Sequence, residues 1–158
     1  WATTYVPLGN LNSSYQTDME GLWEATGTST SQASNGLTMS VSSTLSEENF
    51  AVFGNNNTSN TSTSELPSGT VIRSARIWQV DKSGTVSANI TIDISDATGN
   101  SPTVGAATNY KLLHRIGTSG NFTSVATGGS VSGDNITFSG VTVHKGFYVI
   151  AATESSNL

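Results

Sequence analysis

One segment of the chain alternates apolar and polar residues without a break, and this alternation constrains the fold more than any other feature. Between residues 85 and 95 every second position is apolar, and these positions are Val86, Ala88, Ile90, Ile92 and Ile94. Successive side chains of a β-strand point to opposite faces of a sheet. The pattern therefore predicts a long strand with one face in a core and the other in water. The residues expected in water include Asn89, Thr91 and Asp93.

The rest of the chain consists of short apolar runs separated by Gly, Ser, Asn and Thr, which is typical of an all-β protein. Further strands are predicted at residues 4–8, 37–41, 50–53, 71–80, 110–115, 122–126, 135–138 and 147–152. About nine or ten strands in one chain of this length favour a two-sheet antiparallel β-sandwich, jelly-roll or Ig-like. We expect a single domain over residues 1–158.

Three connecting segments carry further expectations. Residues 81–84 are short, polar and end in Gly, so the strands on either side of them are predicted to form a β-hairpin. Residues 54–68 include a low-complexity run of Asn, Thr and Ser, which we expect to be a solvated loop that buries nothing. Residues 16–25 are the best candidate for a helical turn.

Composition and charge exclude several functional classes. Ser and Thr make up 48 of the 158 residues, whereas charged residues make up only 11% and the net charge is −5. Six basic residues spread along the chain do not form the basic face that nucleic-acid binding requires. No apolar run approaches the ~20 residues of a membrane span. The absence of Cys excludes thiolate metal sites and cysteine nucleophiles. A polar, mostly uncharged surface of this kind is typical of an extracellular β-protein.

No residue pattern indicates catalysis, and we expect neither enzymatic activity nor a cofactor. A catalytic histidine needs an orienting carboxylate and a nucleophile, so His114 and His144 are expected to have surface or packing roles. Asp93, Asp96 and Asn100 are weak calcium candidates, because they offer oxygen ligands around a Gly. A strand end followed by a turn explains the same three residues.

Two further groups of residues have both a structural and a functional interpretation. Trp23 lies near several acidic residues and could stack on a sugar, although a Trp is more often part of a core. Arg73 and Arg76 flank the apolar run that ends at Trp78. We expect them to be structural, either over the Trp face or paired with a buried acid.

A series of short motifs follows in a fixed order along most of the chain. They are FAVFGNN at 50–56, LPSG at 66–69, RSARIWQV at 73–80, SGTV at 83–86, ITIDIS at 90–95, YKLL at 110–113, NITFSGV at 135–141 and GFY at 146–148. This ordered set, over residues 37–153, resembles a β-sandwich domain of secreted and surface proteins of Bacteroidota. The resemblance implies an adhesin-like surface domain with no established catalytic residues. It also implies export by the type IX secretion system, with residues 154–158 as a linker toward a removed sorting domain.

The first 36 residues match that family poorly and are a segment of uncertain role. Trp1, Tyr5, Val6 and Leu8 are too apolar for a floating tail, and residues 3–6 are strongly β-prone. A sandwich has edges that can accept an extra strand. The segment is therefore a candidate assembly strand, donated to a neighbouring copy to build a filament or paired with the edge of its own domain.

These observations lead to two functional hypotheses. The first is an extracellular structural or adhesive module, a building block of a cell-surface structure that assembles with copies of itself or with other surface proteins. The alternative is a carbohydrate-binding module, with glycans as partners. The orientation of Trp1, Tyr5, Trp23 and Trp78 discriminates between them, because a sugar platform needs exposed aromatic rings.

Overall fold

The chain folds into two antiparallel β-sheets, which a computed structural model describes for residues 10–22, 31–41, 43, 45–46 and 48–158. Within these residues lie thirteen strands and one α-helix. The strands are β1 (Thr17–Leu22), β2 (Ser31–Ser34), β3 (Leu37–Ser40), β4 (Phe50–Asn55), β5 (Thr61–Ser62), β6 (Ile72–Ser74), β7 (Trp78–Ser83), β8 (Ser87–Asp93), β9 (Tyr110–Arg115), β10 (Thr123–Thr127), β11 (Ser130–Ser132), β12 (Asn135–Thr142) and β13 (Gly146–Ala152). The helix α1 spans Ile94–Thr98, and 3-10 turns lie at Ser13–Tyr15, Ala107–Asn109 and Ser155–Asn157.

The expected all-β, two-sheet antiparallel sandwich is confirmed. The first sheet has eight strands, and the second has five in the order β11-β12-β8-β3-β2. The described residues hold more strands than the nine or ten expected. No strand was predicted at β1, β2, β5 or β11, and the single strand predicted over residues 71–80 is divided into β6 and β7. Strands β5 and β11 are only two or three residues long and leave little periodic signal in a sequence.

Strand β13 is the centre of the first sheet. It pairs with β9 along one edge, and along the other edge it pairs with β7 and then with β6. The sheet extends outward from β7 through β4 to β1, from β6 to β5, and from β9 to β10. Every residue of β13 is buried, which agrees with the continuous apolar run of its sequence.

The first sheet packs apolar side chains on both of its faces. Tyr148, Ile150 and Ala152 point into the main core between the two sheets. The alternate residues of the same strand, Phe147, Val149 and Ala151, belong to a second cluster on the outer face. Successive side chains of β13 therefore belong to two different cores. A one-residue shift of its register would move each side chain into the other core.

The alternating segment occupies the middle of the second sheet, as its sequence predicts. Val86, Ala88, Ile90, Ile92 and Ile94 are all buried in the main core. On the other face Ser87 and Asn89 are exposed, and Thr91 and Asp93 are half-buried. The strand is shorter than expected, because α1 begins at Ile94 after the Asp93 carboxylate accepts a hydrogen bond from the Asp96 backbone N–H at 2.9 Å.

The predicted hairpin around residues 81–84 is wrong. Strand β7 pairs with β4 and β13 in the first sheet, whereas β8 pairs with β3 and β12 in the second. The chain crosses from one sheet to the other at Gly84, whose φ is +63°. Both strands have an apolar face, and placing the two sheets face to face buries both faces against each other.

Two other expectations about local structure are wrong. Residues 17–22 of the candidate helical turn form β1. Residues 54–68 are not only a solvated loop, because Asn55 is buried and its side-chain amide donates to the Thr17 carbonyl and the Ser34 hydroxyl. The Asn56 side-chain oxygen accepts the backbone N–H of Ile77 at 3.0 Å. Amide side chains can replace backbone partners and so can be buried where a composition argument expects solvent.

An arginine pair and one glutamate cover the outer cluster of the first sheet. The two carboxylate oxygens of Glu65 contact Arg73 at 2.9 Å and Arg115 at 2.7 Å. Both guanidinium groups lie over the Phe122 ring, that of Arg73 at 5.2 Å and that of Arg115 at 4.1 Å from its centroid. Burial lowers the pKa of Arg73, although Glu65 opposes this shift. The structural role expected for Arg73 is thus an ion pair with a partly buried acid and a cation–π contact.

Arg76 also makes structural contacts. Its guanidinium donates to the carbonyls of Thr58, Asn35 and Asp96, the last of these at 2.7 Å near the end of α1. Burial lowers the pKa of Arg76, and Asp96 opposes this shift. Arg76 therefore joins α1 and the turn between β2 and β3 to the first sheet.

The alternation yields a stability prediction for the second sheet. Ile92→Ala removes a fully buried side chain from the main core, so the free energy of unfolding should fall by about 2–5 kcal/mol in urea denaturation. Ser87→Ala, on the exposed face of the same strand, should change it by less than about 0.5 kcal/mol. A loss below that value for Ile92→Ala would contradict the assignment of the buried face.

The ion cluster yields a second stability prediction. Glu65→Gln leaves two neighbouring guanidinium groups without their shared carboxylate, and the free energy of unfolding should fall by about 2–4 kcal/mol. Glu154→Gln, which removes the same charge from an exposed position, is the matched control and should be nearly neutral. Equal effects of the two substitutions would show that Glu65 acts only through net charge.

Candidate functional sites

The outer face of the second sheet is polar and almost free of charge. Thr38 of β3, Thr91 of β8 and Thr137 of β12 are cross-strand partners in one row. The hydroxyls of Thr91 and Thr137 lie 2.9 Å apart in a hydrogen bond. A neighbouring row pairs Ser40 with Asn89. This surface, the hydroxyl face, can accept and donate hydrogen bonds but offers no ionic recognition.

Strands β10 and β11 follow each other in sequence, and each is an outer strand of its sheet. Within the described residues β10 pairs only with β9, and β11 pairs only with β12. Gly128 and Gly129 carry the chain between them, and a Cβ at position 128 would lie 2.3 Å from the Ala107 carbonyl oxygen. Val125 is 42% exposed in β10, at a point where the register with β9 shifts by one residue. We call β10 and β11 together the edge pair.

Both histidines line one cavity at the end of the sandwich. This histidine cavity has a volume of about 600 Å³ and is lined by Lys82, Ser83, Gly84, His114, Ile116, His144 and Lys145. The two imidazole centroids lie 6.0 Å apart. His114 Nε2 lies 2.8 Å from the Lys145 carbonyl oxygen, and the ring packs on Tyr148 with centroids 4.7 Å apart.

The backbone around the cavity is held by specific contacts. The Tyr148 hydroxyl accepts the His144 backbone N–H at 2.9 Å, which fixes the turn before β13. Gly146 has a φ of +130°, and a Cβ there would lie 2.3 Å from the Arg115 carbonyl oxygen and 2.7 Å from His114 Nε2. Only glycine therefore lets this turn approach the end of β9.

The charged groups at the cavity are partly compensated. The Lys145 ammonium contacts Asp81 at 3.1 Å, and the Lys82 ammonium donates to the Gly84 carbonyl at 2.6 Å. Burial raises the pKa of Asp81. Hydrogen bonds from the Asn10 backbone N–H and from Lys145 outweigh this effect and lower the pKa below its ordinary value. Burial lowers the pKa of His114. The hydrogen bond to the Lys145 carbonyl opposes this shift, and the neighbouring His144 adds to it.

The calcium candidates lie where a strand ends and α1 begins. Asp93 Oδ1 accepts hydrogen bonds from the Ser95 hydroxyl and the Asp96 N–H, both at 2.9 Å, so this oxygen caps the helix. The Asn100 side-chain amide donates to the Leu158 carbonyl at 3.2 Å. In the described part of the chain, no three His, Cys, Asp or Glu side chains form a group that could hold a metal ion. Calcium binding at Asp93, Asp96 and Asn100 stays a prediction.

The remaining candidate residues have different outcomes. Trp1, Tyr5, Val6, Leu8 and Trp23 lie outside the described residues, so their predicted roles stay predictions. Trp78 is fully buried, and its indole N–H donates to the Ser34 carbonyl at 2.7 Å. It is therefore a core residue and cannot stack on a ligand.

The C-terminal residues pack onto the domain, and the predicted role of residues 154–158 as a linker stays a prediction. Asn157 and Leu158 are buried. The Asn157 side-chain amide donates to the Thr103 carbonyl at 2.8 Å, and its backbone carbonyl accepts the Tyr110 hydroxyl. A following sorting domain stays a prediction.

Sequence comparison places the chain in one family. It belongs to the family described as Domain of unknown function (DUF8202), which matches residues 11–147. No curated protein and no solved structure matches the chain. None of the helices in the described residues is long and apolar enough to cross a membrane.

The environment of His114 predicts a pH dependence. Because the pKa of His114 is below its ordinary value of 6.5, its contribution to stability is complete above pH 6.5 and is lost as pH falls through the folded pKa. The imidazole Cε1 proton should titrate below pH 6.5 by NMR. Between pH 7.5 and 5 the free energy of unfolding should fall less in the His114→Gln variant than in the unmodified chain, because glutamine does not titrate. A midpoint at or above 6.5 would contradict the burial argument.

Proposed function

We propose that this protein is an extracellular structural or adhesive module that assembles by adding a strand from a neighbouring copy to the edge pair. The observation that carries this proposal is the absence of charge along these strands. Residues 116–133 contain no Asp, Glu, Lys or Arg, and this segment includes all of β10 and β11. Natural sheets usually protect their edges with charges, Pro or cover, so an uncharged edge is a template for strand pairing.

The composition of β10 supports strand addition at this edge. Its sequence, TSVAT, is rich in β-branched residues, and four of its five residues are exposed. The unpaired backbone groups of an outer strand supply the hydrogen bonds in β-augmentation, and alternate side chains supply specificity. The β-bulge at Val125 limits the pairing to a short segment.

The proposed donor is the segment that contains Trp1, Tyr5, Val6 and Leu8. The chain that follows it is anchored, because the backbone N–H groups of Asn10 and Asn12 donate to Asp81 at 2.8 Å and to Gln79 at 2.7 Å. A donor from one copy and an acceptor edge on the next form a head-to-tail contact. Such contacts propagate into a filament unless the rotation closes a ring.

The proposed location is the cell exterior. The low charge and the hydroxyl face suit a protein that meets solvent and other surface proteins rather than nucleic acid. The resemblance to Bacteroidota surface domains leads us to propose export by the type IX secretion system as well.

Carbohydrate binding is the less favoured alternative. A sugar platform needs exposed aromatic rings, and no Trp, Tyr or Phe among the described residues is exposed. The alternative therefore depends on Trp1, Tyr5 and Trp23, which lie outside them.

Deletion of the donor segment tests the proposal directly. A chain lacking residues 1–8 should stay folded, because the anchors at Asn10 and Asn12 remain, and it should sediment as a monomer where the full chain assembles. A truncated chain that unfolds, or that assembles unchanged, would show that residues 1–8 are not a donated strand.

A substitution in β10 tests the acceptor edge. Val125→Lys places a charge on the edge and should abolish assembly without changing the fold. Val71→Lys is the matched control, because Val71 is 47% exposed but lies outside the edge pair, and it should assemble like the unmodified chain. Equal effects of the two substitutions would argue for non-specific association.

A further inference from the structure

Two of the three lysines and both histidines of this acidic chain line the histidine cavity. The chain contains three lysines and two histidines, with a net charge of −5. Lys82, Lys145, His114 and His144 all line this one cavity, and only Lys111 among the five lies elsewhere. Asp81 compensates one charge through its contact with Lys145. Two ammonium groups against one carboxylate leave a local excess of one positive charge even with both imidazoles neutral.

The cavity also has polar donors that can orient an anion. Lys145 contributes its ammonium from an exposed side chain, and His114 is held in position by the Lys145 carbonyl and the Tyr148 ring. The centroid of the exposed His144 ring lies 6.0 Å from that of His114. Ile116, which is 85% exposed, supplies an apolar wall. A few convergent polar groups beside an apolar surface are typical of a small-molecule site.

We propose that the histidine cavity binds a small oxyanion group, a carboxylate, sulfate or phosphate. The volume of about 600 Å³ lies in the range of small-molecule pockets. The two ammonium groups attract an anion and repel a metal cation. Nothing in this inference depends on strand donation at the edge pair.

Binding is coupled to pH through the His114 imidazole, which lines the cavity. The titratable and charged groups at the cavity are His114 from β9, Asp81 and Lys82 from β7, His144 and Lys145 from the turn, and Tyr148 from β13. An anion beside an imidazole favours its protonated form. By linkage, protonation of an imidazole strengthens anion binding, so affinity increases as pH falls from 7.5 to 5.5.

The test is an NMR titration of the two imidazole Cε1–H signals. Sulfate, inorganic phosphate and glucuronate are added separately, with glucose as the uncharged counterpart of glucuronate. At least one oxyanion should shift both signals with saturation, more tightly at pH 5.5 than at 7.5, and glucose should not. Preference for glucuronate would assign a carboxylate ligand, whereas preference for sulfate or phosphate would assign an inorganic or ester anion.

Lysine substitutions localise the effect. Lys82→Gln and Lys145→Gln should each weaken binding about 3–10-fold, because each removes a charge from the cavity. Lys111→Gln removes the same charge from β9 outside the cavity and should change binding less than twofold. Amide spectra of all three variants establish that they are folded.

Three outcomes would overturn the proposal. The first is the lack of a saturable shift with all three anions. The second is equal weakening by Lys111→Gln, which would indicate diffuse charge. The third is a stoichiometric shift of both imidazoles by Zn²⁺ without any response to the anions, which would indicate a metal site instead.

Discussion

The rest of the structure depends on one constraint. Strand β13 pairs with neighbours along both of its edges and packs apolar side chains on both of its faces. Its backbone bonds to β9 on one edge and to β7 and β6 on the other. Its side chains alternate between the main core and the outer cluster. The outer cluster in turn requires a cover, which Glu65, Arg73, Arg115 and Phe122 provide. One strand therefore fixes the sandwich, its outer layer and, through Gly146, the turn that shapes the histidine cavity.

The sequence predicted those elements whose signals are local. The alternation in β8 predicted a strand and its buried face, and the apolar run of β13 predicted a strand; both were confirmed. Asn35-Gly36 is a hairpin signal that could have located β2, and both residues have positive φ in the turn between β2 and β3. The pairing of β7 could not be predicted, because a short polar connection ending in Gly has the same sequence whether the chain turns back or crosses to the facing sheet.

The candidate sites depend on contacts that are distant in sequence, and this is why sequence reasoning missed them. His114 and His144 were interpreted separately as surface or packing residues, yet the pairing of β9 with β13 brings their rings together. Glu65 lies in a segment that its composition assigned to solvent, but the outer cluster places its carboxylate between two arginines. The edge pair could have been recognised earlier from the charge-free run of residues 116–133.

Backbone hydrogen exchange in β10 is the measurement that most directly tests assembly at the edge pair. Amide exchange of Thr123–Thr127 is compared between the assembled chain and the monomeric chain that lacks residues 1–8. The amides of β10 that do not pair with β9 should exchange rapidly in the monomer and become protected in the assembly, because an added strand would bond to them. Equal exchange in both states, with protection at another surface, would contradict strand addition at this edge.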